Sequence, residues 1–282
     1  MFQLDVKNAF LHGDLQKEVY MEQPSGYVAR GETKVCCLKK AIYRLKKSPR
    51  TWFEKFNLTI FGIGFRWCYS DHSVFVRHTK FGVVVLVIYV DDILLIGSDS
   101  ARIVETKMYL KSHFVTKDIA LSKYFLGIEI AHKKYSVLLS QQKYALNLLE
   151  KTGFLGCKPA NTPMESNVDL WFDDSHTLDP GRYKRLIGKL IYLTVTRSDI
   201  TFAVGVLSRF MYQPREAQWL AIMRILTYIK SCLKKGLVYR KHGHVRISRY
   251  SDSGYAGDRE DRKFTTGYCT FFGNSLTWRR KK

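Results

Sequence analysis

Apolar residues fall at every second position in Phe2, Leu4 and Val6, so the chain opens on a half-buried strand with Asp5 facing the other way. That strand is expected to end at Asn8-Ala9-Phe10. A β-branched run from Val83 to Val90 predicts a buried strand, and Ile93 to Ile96 a second one. Their two-residue connection, Asp91-Asp92, predicts a hairpin with both carboxylates at or beside its tip. The apolar run before Asp91 is far shorter than the ~20 residues a bilayer span needs.

Elsewhere the spacing turns helical. Thr51 to Phe61 predicts a helix with Trp52, Phe53, Phe56 and Leu58 on its apolar faces, and Arg102 to Phe114 another with Val104, Met108 and Leu110 periodic. Ser140 is placed to cap a helix running to Lys151 and closed by Gly153. Lys158 to Pro180, with its prolines and acids, predicts an ordered loop or linker. Arg182 to Thr194, Asp199 to Tyr212 and Arg215 to Lys235 follow as helices whose periodic apolar residues are core. Ile247 to Asp252, Thr266 to Phe272 and Ser275 to Trp278 then predict three strands of a meander.

Composition narrows the class. At 282 residues, with 46% hydrophobic and 14% aromatic content, the chain can bury a sizeable core and is no disordered tail. Lys and Arg number 46 against 25 acids, a net charge of +21, which implies a polyanionic partner, nucleic acid first. Part of that excess has a focus: Lys39, Lys40, Arg44, Lys46, Lys47 and Arg50 crowd one short run, which is either a solvated face or a phosphate-binding one. Cysteines at 36, 37, 68, 157, 232 and 269 form no C-x-x-C pair and read as reduced thiols, not as a zinc site or disulfide framework. No signal peptide or transmembrane segment is visible, so an intracellular location is expected.

The chemistry is carried by Asp91 and Asp92. An Asp-Asp pair at a hairpin tip is by itself an ordinary solvated turn. Adjacent like charges on rigid apolar strands, with Asp5 as a possible third, instead suit a hard cation such as magnesium. The order Asp5, Phe10, Tyr89-Val90-Asp91-Asp92 and then Phe125-Leu126-Gly127-Ile128-Glu129 resembles the active-site pattern and primer-grip hairpin of reverse transcriptases.

Over the whole length the strings LDVKNAFLHGDL, VYMEQPSGY, LKKAIYRLKKSPRTWF, YVDDILLIGSD, KYFLGIEI, LSQQKYALNLLEKTG, CKPANTPM and KRLIGKLIYLTVTRSDITFAVGVLSRFM resemble the Pol polyprotein of copia-type retrotransposons. The resemblance implies an α+β fold: a polymerase palm with partial fingers over residues 1–130, a helical thumb or connection over 131–245, and the start of a ribonuclease H meander over 246–282. It implies an RNA-directed DNA polymerase using two magnesium ions, or manganese, with Asp5 and Asp91 bridging both and Asp92 assisting. Phe10 matches the position that excludes a ribose 2′-hydroxyl, and Tyr43, Arg44, Lys46 and Pro49 lie in the nucleotide- and template-contacting motif. Tyr89, Val90, Phe125, Leu126 and Gly127 match primer-binding positions. Partners would be an RNA template, a DNA primer, deoxynucleoside triphosphates and other polyprotein products, in a cytoplasmic particle or the nucleus, without a membrane.

The chain also departs from the family. Arg44 stands where the pattern has glycine, in Tyr-Gly-Leu-Lys-Gln-Ala-Pro, and Lys47 replaces an amide. The family's fingers precede the strand of Asp5 and are expected to be largely missing. Asp252 matches the first ribonuclease H metal ligand, but Gly254 stands where a further aspartate is expected and the chain stops before the next acid, so that module is expected to be inactive. A non-catalytic nucleic-acid-binding remnant is therefore the alternative reading.

Overall fold

The computed structural model of the protein describes residues 1–27, 34–165, 170–171, 175, 177–240, 246–254, 265–272 and 275–281, and only the backbone of 252–254, 265–267, 272 and 275–281. The chain divides into two compact units, Met1–Ser122 and Lys123–Lys282. Both are α/β mixtures built on antiparallel sheets.

The first unit runs β1 (Phe2–Val6), a 3-10 turn (Ala9–His12), β2 (Tyr20–Met21), β3 (Cys36–Cys37), α1 (Ser48–Gly62), β4 (Arg66–Cys68), β5 (Asp71–Thr79), β6 (Gly82–Tyr89), β7 (Asp92–Gly97), α2 (Ser100–His113) and β8 (Thr116–Leu121). Its six-stranded sheet has the order β4-β5-β6-β7-β1-β8 with every neighbour antiparallel. The order places the first strand of the chain beside the β6–β7 hairpin formed some ninety residues later, since Asp5 pairs with Asp92. Alternation does the rest. Leu4, Val6, Leu86, Ile88, Ile93 and Leu95 are buried on one face, in one apolar cluster with Trp52, Phe56 and Ile60 of α1 and Ile103 and Leu110 of α2. Gln3, Asp5 and Asp92 occupy the opposite face, as their register requires.

Local expectations here needed correction. β1 ends at Val6, and Asn8 (φ 53°) turns the chain into the 3-10 turn that carries Phe10. The buried stripe of α2 is Ile103, Thr106 and Leu110; Val104 and Met108 face outward at 53% and 65% exposure. Leu58 of α1 is likewise exposed. Each helix meets the sheet along one stripe only, and periodicity alone offered two overlapping choices.

The second unit runs β9 (Tyr124–Phe125), β10 (Ile128–Lys133), β11 (Ser136–Ser140), α3 (Gln142–Thr152), α4 (Pro180–Leu193), α5 (Thr201–Leu207) between two 3-10 turns, α6 (Glu216–Ser231), β12 (Gly236–Arg240), β13 (Ile247–Gly254), β14 (Thr265–Phe272) and β15 (Ser275–Lys281). The strands form a β12-β11-β10-β9 sheet and a separate β13-β14-β15 meander. Leu148, Ile187, Leu190, Leu207, Ile222 and Ile225 anchor the helical core. Gly153 closes α3 in the left-handed conformation (φ 78°), as expected. Ser140 does not cap that helix. It ends β11 and donates to Glu129, whose other carboxylate oxygen accepts the Lys143 N–H at 2.8 Å, so a strand carboxylate caps α3 from outside. Helix α4 begins two residues early, because Asp179 accepts from Gly181 and Arg182 N–H ahead of Pro180 at the first position. The helix expected over Asp199 to Tyr212 breaks into α5 and its flanking 3-10 turns.

Candidate active site

The β6–β7 hairpin is joined by Val90 and Asp91, not by the two aspartates: Tyr89 pairs with Asp92 across the turn. The shift by one residue matters because side chains alternate faces along a strand. It makes Asp92 a strand residue directly opposite Asp5 and leaves Asp91 in the turn. All three aspartates are half-buried.

The turn is strained and held. Val90 has φ 55°, a left-handed conformation that a β-branched residue rarely adopts. Such a residue costs on the order of 1–3 kcal/mol and persists only where its surroundings impose it. Two donors impose it here: the Trp52 indole N–H gives a 2.7 Å hydrogen bond to the Val90 carbonyl, and the Val6 N–H gives a 2.8 Å one to the Asp91 carbonyl. At roughly 0.5–1.5 kcal/mol each, the two bonds are of the size of the strain. Trp52, read from sequence only as core, thus ties α1 to the carboxylate turn.

Gln3 was missed altogether. Alternation makes it a solvent-side residue, yet it is 6% exposed. Its amide N–H donates to Asp92 Oδ1 at 2.9 Å, and its carbonyl accepts from Ser122 Oγ at 2.9 Å. The available signal was its position two residues before Asp5, on the same face of the same strand.

Beside the turn lies a cleft of about 240 Å³ lined by Phe10, Pro49, Trp52, Phe53, Ser73, Ile88, Tyr89 and Val90. It brings together Phe10, Pro49, Tyr89 and Val90 of the sequence-predicted site. Tyr43 joins them edge-on, its ring 5.1 Å from that of Phe10. The basic residues from Lys39 to Arg50 are all exposed, Arg50 in a 2.9 Å pair with Glu54 on α1. Arg44 has φ 68° and is the third residue of a turn in which Leu45 N–H donates to the Ile42 carbonyl. Positive φ at that place is the type II pattern, which favours glycine.

The donor chemistry suits a hard divalent ion. Asp5 and Asp92 are carboxylates facing each other across two strands, an arrangement that is destabilising without a cation. Convergence is less complete than the residue types: among the described residues no three His, Cys, Asp or Glu side chains gather where they could hold a metal ion.

In the second unit, Phe125 pairs with Ile128 across Leu126 and Gly127, with φ 48° and 79°. Positive φ at both central residues is the type I′ hairpin turn. Tyr192 of α4 donates to the Leu126 carbonyl, and a Cβ at Gly127 would collide with the same hydroxyl. Asp252 lies on β13 opposite Gly267, and its side chain is outside the described residues. No helix among the described residues is long and apolar enough to cross a membrane.

An antiparallel sheet that sets an aspartate of its first strand against the hairpin carrying Asp91 and Asp92 is compatible with a polymerase-like domain. The family model "Reverse transcriptase (RNA-dependent DNA polymerase)" matches residues 1–166, and the chain belongs to that family. It is 38% identical over 283 residues to the retrovirus-related Pol polyprotein from transposon RE2 of Arabidopsis thaliana, and equally so to that from transposon RE1 of the same plant; both matches cover 99% of this chain and 19% of the polyprotein. To the Pol polyprotein from transposon TNT 1-94 of Nicotiana tabacum it is 36% identical over 292 residues, covering 99% of this chain and 22% of that protein. These are copia-type polyproteins, and the chain spans about a fifth of their length.

Proposed function

We propose that the chain is the RNA-directed DNA polymerase segment of a copia-type retrotransposon Pol polyprotein. The observation that carries this reading is the pairing of Asp5 with Asp92 beside the clamped Val90-Asp91 turn, on a chain of the reverse transcriptase family. Asp5, Asp91 and Asp92 would hold magnesium, or manganese in its place, and a bound pair of such ions supplies charge stabilisation to the attacking and leaving oxygens of phosphoryl transfer. The remaining work belongs to the chain itself. The rigid strands fix the carboxylates, and Phe10, with Tyr43 packed edge-on against it, walls the cleft where a deoxyribose would lie against an apolar surface. Lys46 and the neighbouring exposed cations attract the template and triphosphate, with Pro49 shaping the rim. Tyr89 and Val90 are assigned to primer binding in the first unit, and Phe125, Leu126 and Gly127 of the type I′ turn are separately assigned to it in the second. Residues 1–130 are assigned to the palm with partial fingers, 131–245 to the thumb or connection, and 246–282 to the opening of a ribonuclease H domain, with Asp252 at its first metal-ligand position.

Primer extension on an RNA template with magnesium tests this. The parent chain should extend the primer and Asp91→Asn should not. Equal extension by both would refute the assignment. Binding of template–primer with no extension by either would favour the second reading, a non-catalytic nucleic-acid binder, for which the specific observations are Arg44 in a glycine conformation and three carboxylates that do not converge.

A further inference from the structure

Ser122, Gln3 and Asp92 form a chain of hydrogen bonds on the carboxylate face of the first unit. Its ends are very different. Ser122 is fully buried, while Asp92 is half-buried beside Asp5. Between them the Gln3 amide is fixed in one orientation, because its carbonyl takes the Ser122 hydroxyl proton and only its NH₂ can then face Asp92. One Asp92 oxygen, Oδ1, is thereby tethered. The donor is also neutral. A lysine or arginine at this place would neutralise the carboxylate and compete with a cation, whereas an amide orients the group and leaves its full charge. The Asp92 carboxylate faces the like charge of Asp5 on the neighbouring strand, so holding it there has an electrostatic cost that a buried structural contact would not need.

We propose that Gln3 is a positioning residue: oriented by Ser122, it holds the Asp92 carboxylate ready for a divalent cation shared with Asp5. This rests on the polymerase reading for its purpose, but its test does not depend on turnover. Partners that orient a ligating carboxylate typically set metal affinity by about 10–100-fold.

The test is titration of the intact chain with Mn²⁺, followed by the loss of the free-ion electron paramagnetic resonance signal, without nucleotide or primer. Gln3→Met, which keeps length and loses both amide groups, should weaken Mn²⁺ binding by about tenfold. Ser122→Ala should weaken it less, and it carries the test if Gln3→Met fails to fold. In an Asp92→Asn background, Gln3→Met should have no further effect, which a merely structural role cannot reproduce. Parent-like binding by Gln3→Met, an equal loss in both backgrounds, or no Mn²⁺ binding by the parent would each overturn the inference. Primer extension read alongside separates the two readings. Gln3-dependent Mn²⁺ binding without extension sinks the polymerase assignment alone, and extension that Gln3→Met leaves untouched, with unchanged binding, sinks this inference alone.

Discussion

Replacing Arg44 by glycine should stabilise the first unit. Arg44 is exposed, has φ 68°, and occupies the third position of the turn closed by Leu45 N–H to the Ile42 carbonyl. Ser48 Oγ also donates to that carbonyl at 2.5 Å, so the turn is locked to the start of α1 and cannot relax toward negative φ without breaking two bonds. A left-handed L-residue costs roughly 1–2 kcal/mol. Glycine removes this but adds backbone freedom to the unfolded chain, an offset of about 0.5–1 kcal/mol. The net gain is about 0.5–1 kcal/mol, or roughly 1–4 °C in the unfolding temperature of a unit of this size. Differential scanning calorimetry reads it directly. Arg44→Ala is the control, because it removes the guanidinium while keeping the strained Cβ, and should change the unfolding temperature little. If Arg44→Gly lowered that temperature, or Arg44→Ala raised it as much, the backbone argument would be wrong.

Trp52→Phe should keep the ring in the core but remove the donor to the Val90 carbonyl, costing about 1–3 kcal/mol in urea unfolding; no loss would show that the turn does not depend on α1. Gly127→Ala should cost about 2–3 kcal/mol, since it combines positive φ with a collision at the Tyr192 hydroxyl, and adding Tyr192→Phe should recover only part. Asp199 gives the pH dependence of the second unit. Burial raises its pKa, but hydrogen bonds from Arg197 and Tyr228 and the charges of Arg197 and Lys235 outweigh that and hold it at about 2. The folded value lies below the unfolded one, so the stabilisation is full above the unfolded value near 4 and is lost as pH falls toward 2. It is worth about 2 kcal/mol. Asp199→Asn should flatten the acid limb of a pH–stability curve, and an unchanged limb would remove Asp199 from the account.

The elements that sequence determined are those with local causes. The β-branched run of β6, the positive-φ glycine closing α3 and the alternation that turns Asp5 away from Leu4 and Val6 each follow from one segment's own chemistry. The meander strands β13–β15 were placed within a few residues for the same reason, and the family was legible because its motifs are contiguous strings. Tertiary structure decided the rest. The frame of the hairpin tip is set by β1 and Trp52, which bind consecutive turn carbonyls from segments some 85 and 38 residues earlier in the chain, and no local pattern could assign the turn to Val90-Asp91 in place of Asp91-Asp92. The stripe that α2 buries and the capping of α3 by Glu129 were settled by neighbours in space. Gln3 is the clearest case. Its residue type and its place in the alternation say solvent, and only pairing with strands remote in sequence brings Ser122 and Asp92 to its two ends. A polar side chain stays buried where both its donor and its acceptor are satisfied, and that is a property of the assembled sheet.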